Sequence, residues 1–108
     1  MIHEILPVAD GSVWLIPTAG HSRGQLAVLL NTSEGPLLLT FDASHLRSNL
    51  EHRVIPGATV DAEQALDAID RLRALQTACP TLRVLYGHEP TQWAQGRQAV
   101  VLAHGAAR

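Results

Sequence analysis

The apolar positions of this chain fall in short, nearly unbroken runs, and that pattern predicts strands before it predicts anything else. Ile2 to Val8 reads as a first short strand, Ala9-Asp10-Gly11-Ser12 as a hairpin turn, and Val13 to Thr18 as a second strand. A glycine-flanked loop from Ala19 to Gly24 leads into a third run, Gln25 to Leu30. A turn at Asn31 to Pro36 then returns the chain as Leu37 to Phe41. Four strands joined by tight turns predict a largely antiparallel sheet.

From Asp42 to Thr59 the pattern is irregular, with a short helix expected near Ser44 to Leu50 and a break at Pro56-Gly57. A helical period comes next. Asp61 with Gln64 has the form of a capping box, and Ala65, Leu66, Ile69, Leu72 and Leu75 recur at three- and four-residue steps. Pro80 stops that helix. Leu82 to Tyr86 reads as a further strand, and Thr91 to Leu102 as a terminal helix weakened by Gly96. A sheet with helices on one face is an α+β layer. The strands from Val13 onward are apolar almost throughout, so both sheet faces call for cover, and one main helix covers only one.

Three of the apolar runs stop at a group able to hold a metal. Val13 to Gly20 ends at His21, Leu37 to Phe41 at Asp42, and Leu82 to Gly87 at His88. Residues just past a strand sit on loops carried by a rigid sheet, and two imidazoles with a carboxylate suit a zinc-like site. Taken singly, His21 reads more readily as an exposed loop histidine, Asp42 equally as the cap of the short helix after it, and His88 as a turn histidine. Their shared placement at strand ends is what points to chemistry. His45, three residues after Asp42, is close enough to join the same pocket as a proton donor or carbonyl polariser. His3, His52 and His104 read as surface residues, and Ser22 and Ser44 have no assigned base to make them nucleophiles.

Composition narrows the field. The 108 residues suffice for one small domain, without repeat or linker, and 46% hydrophobic with 17% charged residues is a globular balance. Net charge is −2, and the eight basic residues are all arginines scattered singly, so no basic face for nucleic acid is expected. Cys79 is the single cysteine, which rules out an intrachain disulfide and a cysteine zinc cluster; its place before Pro80 reads as packing. No signal peptide is indicated, and no apolar run approaches the roughly 20 residues that cross a bilayer. The expectation is a soluble, cytoplasmic protein with neither nucleic acid nor membrane as partner.

With these residues laid out, the chain resembles the C-terminal half of the metallo-β-lactamase superfamily, and most of all its N-acyl-homoserine lactone hydrolases, the quorum-quenching lactonases. The family's Thr-Pro-Gly-His segment is similar to Thr18-Ala19-Gly20-His21, and its strand ending in a bridging aspartate to Leu37 through Asp42 and on to Ser44. Pro56-Gly57, the helix from Asp61 to Leu75, and Tyr86-Gly87-His88-Glu89 come in the family's order, so the likeness runs from about Val13 to Trp93. Ala19, Arg23 and Gln25 replace the proline, proline and histidine common in that family.

The resemblance implies half of an αββα sandwich, one partial domain over residues 1–108, and a site that holds two zinc ions when complete. His21 would ligate the first metal, Asp42 would bridge, and His88 would ligate the second. The implied chemistry is lactone or ester hydrolysis by a metal-bound hydroxide. The family's tyrosine three residues after the bridging aspartate is His45 here, which the resemblance places against the substrate carbonyl. The His-x-His-x-Asp-His motif of the N-terminal half is absent from the sequence. The isolated chain is therefore expected to be weakly active or inactive, with a complementary N-terminal half as partner. The alternative is a non-catalytic half-domain that pairs with its own copy or binds another protein.

Overall fold

The expected strands pair in chain order. The structure, a computed structural model, describes residues 6–8, 11–57, 59–89 and 92. Strands β1 (Leu6–Val8), β2 (Val13–Pro17), β3 (Leu26–Thr32) and β4 (Gly35–Phe41) are antiparallel in succession, and β5 (Arg83–Tyr86) adds to β4 in parallel. The parallel step needs a long crossover. The crossover contains α1 (Arg47–Glu51) and α2 (Ala62–Ala78). The expected beginning of the first strand and the terminal helix over Thr91 to Leu102 lie outside the described residues, apart from Gln92.

Two boundaries differ from the expectation, each for a local reason. The β3–β4 turn is shorter than Asn31 to Pro36, because Asn31 pairs with Pro36 and Thr32 with Gly35 inside the ladder. Thr32 is buried there; its hydroxyl donates to the Gly35 carbonyl at 2.7 Å and accepts from the Glu34 amide at 3.1 Å. Polar residues that look like turn formers thus close the ladder from within. The short helix begins at Arg47 rather than Ser44. Ser44 is fully buried, its hydroxyl donating to the Leu46 carbonyl, and the cap position falls on Leu46, whose amide donates to Asn49 Oδ1 at 2.8 Å. Asp42 therefore does not cap this helix.

Helix α2 keeps closely to its period. Asp61 caps it, Oδ1 accepting from the Gln64 amide at 3.1 Å, which satisfies one of the otherwise unpaired first-turn donors. Ala65, Ala68, Ile69 and Leu72 are buried beneath it. Arg71 reaches from this helix to the Pro17 carbonyl at the end of β2 and pairs with Asp67 at 2.8 Å. Cys79 is the half-exposed C-cap, its amide donating to the Leu75 carbonyl at 3.0 Å. No helix among the described residues is long and apolar enough to cross a membrane.

The sheet has two unlike faces. Ile16, Ala27, Leu38 and Tyr86, with Leu29 and Val84 at their edge, pack against Leu50, Ile69 and Leu72 of the helices as the core. The alternate positions form two cross-strand rows, Val13-Leu30-Leu37 and Leu15-Val28-Leu39-Leu85. These are apolar but only half-buried, and they stand outside the core cluster. That is the two-sided apolar strand pattern with one side covered.

Candidate metal centre

Three strand ends build the site, and tight backbone contacts hold each in place. At the end of β4 the pairing slips, so that Leu39 faces Leu85 while Phe41 faces Tyr86, leaving Thr40 as an extra residue. Such a bulge re-aims the residues just past it. Phe41 takes a positive φ of 49°, the Ala43 amide donates to the Thr40 carbonyl at 3.1 Å, and the Thr40 hydroxyl donates to the Ser44 carbonyl at 2.8 Å. The chain is thereby wound tightly around Asp42.

Glycines precede two of the predicted ligands. Gly20, before His21, has φ +144°, and a Cβ there would overlap the Ala65 nitrogen in the first turn of α2. The loop is stitched to that helix by the Asp61 amide on the Gly20 carbonyl, 2.8 Å, and the Val60 amide on the His21 carbonyl, 3.3 Å. Gly87, before His88, meets the Phe41 carbonyl so closely that a Cβ would overlap its oxygen. Its amide donates to the Ser44 carbonyl at 3.1 Å, and the His88 amide to the His45 carbonyl at 2.7 Å.

The side chains converge on Asp42. Nε2 of His88 hydrogen-bonds Oδ1 at 3.2 Å, Nε2 of His45 lies 3.3 Å from the same oxygen, and Nε2 of His21 lies 3.7 Å from Oδ2. The rings meet edge to face, His21 to His45 at 5.1 Å and His45 to His88 at 4.4 Å between centroids. His21, Asp42 and His45 each offer a ligand atom within 4.8 Å of the others. Burial and the nearby His88 hold the His45 pKa below its usual value, with Asp42 opposing, so the ring favours its neutral form.

The donor set fits a transition-metal ion such as zinc. Among the described residues, Nδ1 of His21 and Nε2 of His45 are buried nitrogens without a hydrogen-bond partner. Buried polar atoms are nearly always paired, so these two ring nitrogens, that of His45 only 3.3 Å from Asp42 Oδ1, call for an explanation. Neutral imidazole nitrogens and a carboxylate are the donors that zinc accepts.

The structure thus brings the three strand-end residues His21, Asp42 and His88 together, and it also places His45 inside the cluster rather than only near it. His52 is exposed, as expected, while His3 and His104 lie outside the described residues. Sequence reasoning passed over the supporting contacts, although the repeated Gly-His pair was a usable signal. It also passed over Glu89, whose Oε1 accepts from the Arg47 amide at 2.8 Å and secures α1 beside the site. A cleft of about 390 Å³, lined by Ala19, Gly20, Ser22, Arg23, Val60, Asp61 and Gln64, adjoins the His21 loop.

No family model matches the chain. It is nonetheless 37% identical over 91 residues to N-acyl homoserine lactonases of a Bacillus species and of Bacillus cereus, and 30% identical to the lactonase AttM of Rhizobium radiobacter. Each alignment takes in 83% of this chain and 34% of the relative, so the chain spans about a third of the length of the curated relatives it matches. An N-acyl homoserine lactone hydrolase structure with N-hexanoyl-L-homoserine at its catalytic metal centre superposes with a TM-score of 0.80 and 33% identity, over 93% of this chain and 40% of that one. The Bacillus thuringiensis AiiA variant holding N-decanoyl-L-homoserine gives 0.79 and 33% over the same shares. The dizinc lactonase AidC, 13% identical with a TM-score of 0.63, shares the fold. The chain is homologous to the N-acyl homoserine lactonases of the metallo-β-lactamase superfamily and carries part of their domain.

Proposed function

We propose that this chain is the C-terminal, metal-binding part of a zinc-dependent hydrolase that opens lactones or esters, with N-acyl homoserine lactones as the substrate class. The observation that carries the reading is one carboxylate, Asp42, with three imidazole nitrogens 3.2, 3.3 and 3.7 Å from its oxygens. His21, Asp42 and His88 would hold the metal, Asp42 standing between the two histidines. Bound zinc supplies Lewis acidity and brings the pKa of its water down to roughly 7. Asp42 would offer its carboxylate to the bound cation. His45, whose ring favours the neutral form, would offer a hydrogen bond to a substrate oxygen. Gly20 and Gly87 let the loops carrying His21 and His88 pack tightly against Ala65 and the Phe41 carbonyl.

The ligands of the N-terminal half are absent from the sequence, so the chain by itself should turn over slowly or not at all. The test is lactone hydrolysis, monitored by acid release, for the zinc-loaded chain alone and co-expressed with the N-terminal part of a Bacillus lactonase. Turnover in the pair and little in the single chain is the expected result. A folded, zinc-loaded pair that leaves acyl homoserine lactones intact overturns the reading.

A second reading rests on a different observation, the half-buried rows Val13-Leu30-Leu37 and Leu15-Val28-Leu39-Leu85. On that reading the chain is a non-catalytic half-domain that pairs through this face with its own copy. A monomer in sedimentation at high micromolar concentration counts against it.

A further inference from the structure

We propose that His45 is itself a metal ligand, so that His21, Asp42 and His45 hold one divalent transition-metal ion within this chain alone. The inference rests on the reading of the cluster as a metal centre and adds His45 to the residues that hold it.

Four observations lead there. First, one ligand atom from each of His21, Asp42 and His45 lies within 4.8 Å of the others. Donors around a tetrahedral zinc stand roughly 3.3–3.5 Å apart, given bonds of about 2.0–2.1 Å. Small side-chain rotations close that difference.

Second, Nε2 of His45 is buried and, among the described residues, has no well-formed hydrogen bond; the oxygen it faces at 3.3 Å, Asp42 Oδ1, is shared with His88 Nε2 at 3.2 Å. A ring that served only an incoming substrate would keep that nitrogen accessible.

Third, the three histidines are not equally placed. The side chains of His21 and His45 are 18% and 27% exposed, that of His88 61%. His21 approaches one carboxylate oxygen, Oδ2, while His45 and His88 both approach the other, Oδ1. The sheltered pair flanks the carboxylate, so His21 and His45 can close on one ion with Asp42 in this chain, while the more open His88 stays available to the second metal of the complete site.

Fourth, the backbone around His45 is held, its carbonyl accepting from the His88 amide at 2.7 Å and the Ser44 carbonyl accepting from the Gly87 amide at 3.1 Å. Two imidazoles and a carboxylate with a fourth position open form the donor set of a zinc, cobalt or nickel site. In this arrangement His45 gives up the proton-donor role to serve the metal.

The experiment measures zinc and cobalt binding to the full 108-residue chain by calorimetry and elemental analysis, beside its His45→Ala and His88→Ala variants. One ion per chain, at least tenfold weaker binding in His45→Ala, and a smaller loss in His88→Ala are expected. The cobalt-loaded wild type should show the intense visible band of a low-coordinate site, and His45→Ala should lose it. Unchanged affinity and stoichiometry in His45→Ala overturn the inference.

A variant that unfolds does not end the test. Histidine ¹⁵N shifts of the wild-type chain on zinc addition identify the bound rings directly. Shifts at His21 and His45 support the inference, and shifts at His21 and His88 alone refute it. Zinc held through His45 without hydrolysis in the reconstituted pair would refute the hydrolase reading and leave this one standing. Hydrolysis by a pair whose metal ignores His45→Ala would do the reverse.

Discussion

Gly20 lies so close to Ala65 that a methyl group on its Cα would overlap the Ala65 nitrogen and stand 2.8 Å from the Ala65 Cβ. The contact joins the loop that carries His21 to the first turn of α2. With φ at +144°, no L side chain sits there without strain. Gly20→Ala should therefore cost about 1–3 kcal/mol by overpacking, or more, and weaken zinc binding with it. Gly24→Ala is the control, since nothing among the described residues lies within 4 Å of a Cβ there. Equal urea midpoints for the two variants would show that the contact is not tight.

Asp61 ties the same loop from the helix side, with its side chain on the Gln64 amide and its own amide on the Gly20 carbonyl. Asp61→Ala removes only the side-chain cap. The expected loss is about 1 kcal/mol, with Asp61→Asn near wild type because the amide oxygen still accepts. Chemical denaturation of the three proteins decides it, and a fully stable Asp61→Ala protein contradicts the capping role.

Adjacent leucines in β4 test the two faces of the sheet. Leu38 is fully buried in the core, whereas Leu39 belongs to the half-exposed row. Leu38→Ala should destabilise by about 2–5 kcal/mol. Leu39→Ala should cost clearly less in the isolated chain and show its effect only when a second sheet is added. Denaturation midpoints in the wrong order would reverse the assignment of inside and outside.

Tyr86 is the only tyrosine, so its phenolate absorbance reports one site. Burial raises its pKa above the usual 10, outweighing the nearby Arg47 guanidinium, whose centre lies 5.4 Å from the ring centroid. The unfolded chain loses this proton near 10, before the folded one does. The contribution to stability is therefore complete below about pH 10 and falls as pH rises through the interval up to the folded value. Spectrophotometric titration should give a midpoint above 10 that returns to about 10 when the protein is unfolded in urea. A folded-state midpoint equal to the unfolded one would mean the hydroxyl is not sheltered.

Asp42 draws three histidines to one point, so its removal should abolish metal uptake while leaving the fold. It is nearly half exposed and outside the core. Asp42→Ala should bind less than about a tenth of the zinc of wild type at equal concentration, with an unchanged far-ultraviolet spectrum. Retained stoichiometric zinc would place the metal elsewhere.

Much of this was legible along the chain. The runs ending at His21, Asp42 and His88 are visible because the strands are apolar on both faces, so the first ligand-type residue marks the end of each run. Helix α2 was equally plain from its cap and its period. The turn between β3 and β4 was misjudged because Asn31 and Thr32 are typical turn residues that here find backbone partners within the ladder. The alternative reading of Asp42 as a helix cap does not hold, since the buried turn at Ser44 delays the helix to Arg47.

The sequence by itself determined the strands, the main helix, the glycine-histidine pairs and the demand for cover on both sheet faces. These depend on local periodicity and residue type. Tertiary structure alone decided that β5 joins β4 in parallel, that the β4 bulge turns Asp42 toward three imidazoles, and that His45 stands among them. Those outcomes depend on contacts between segments as distant as Asp42 and His88, and no pattern of neighbours along the chain encodes a distance across it.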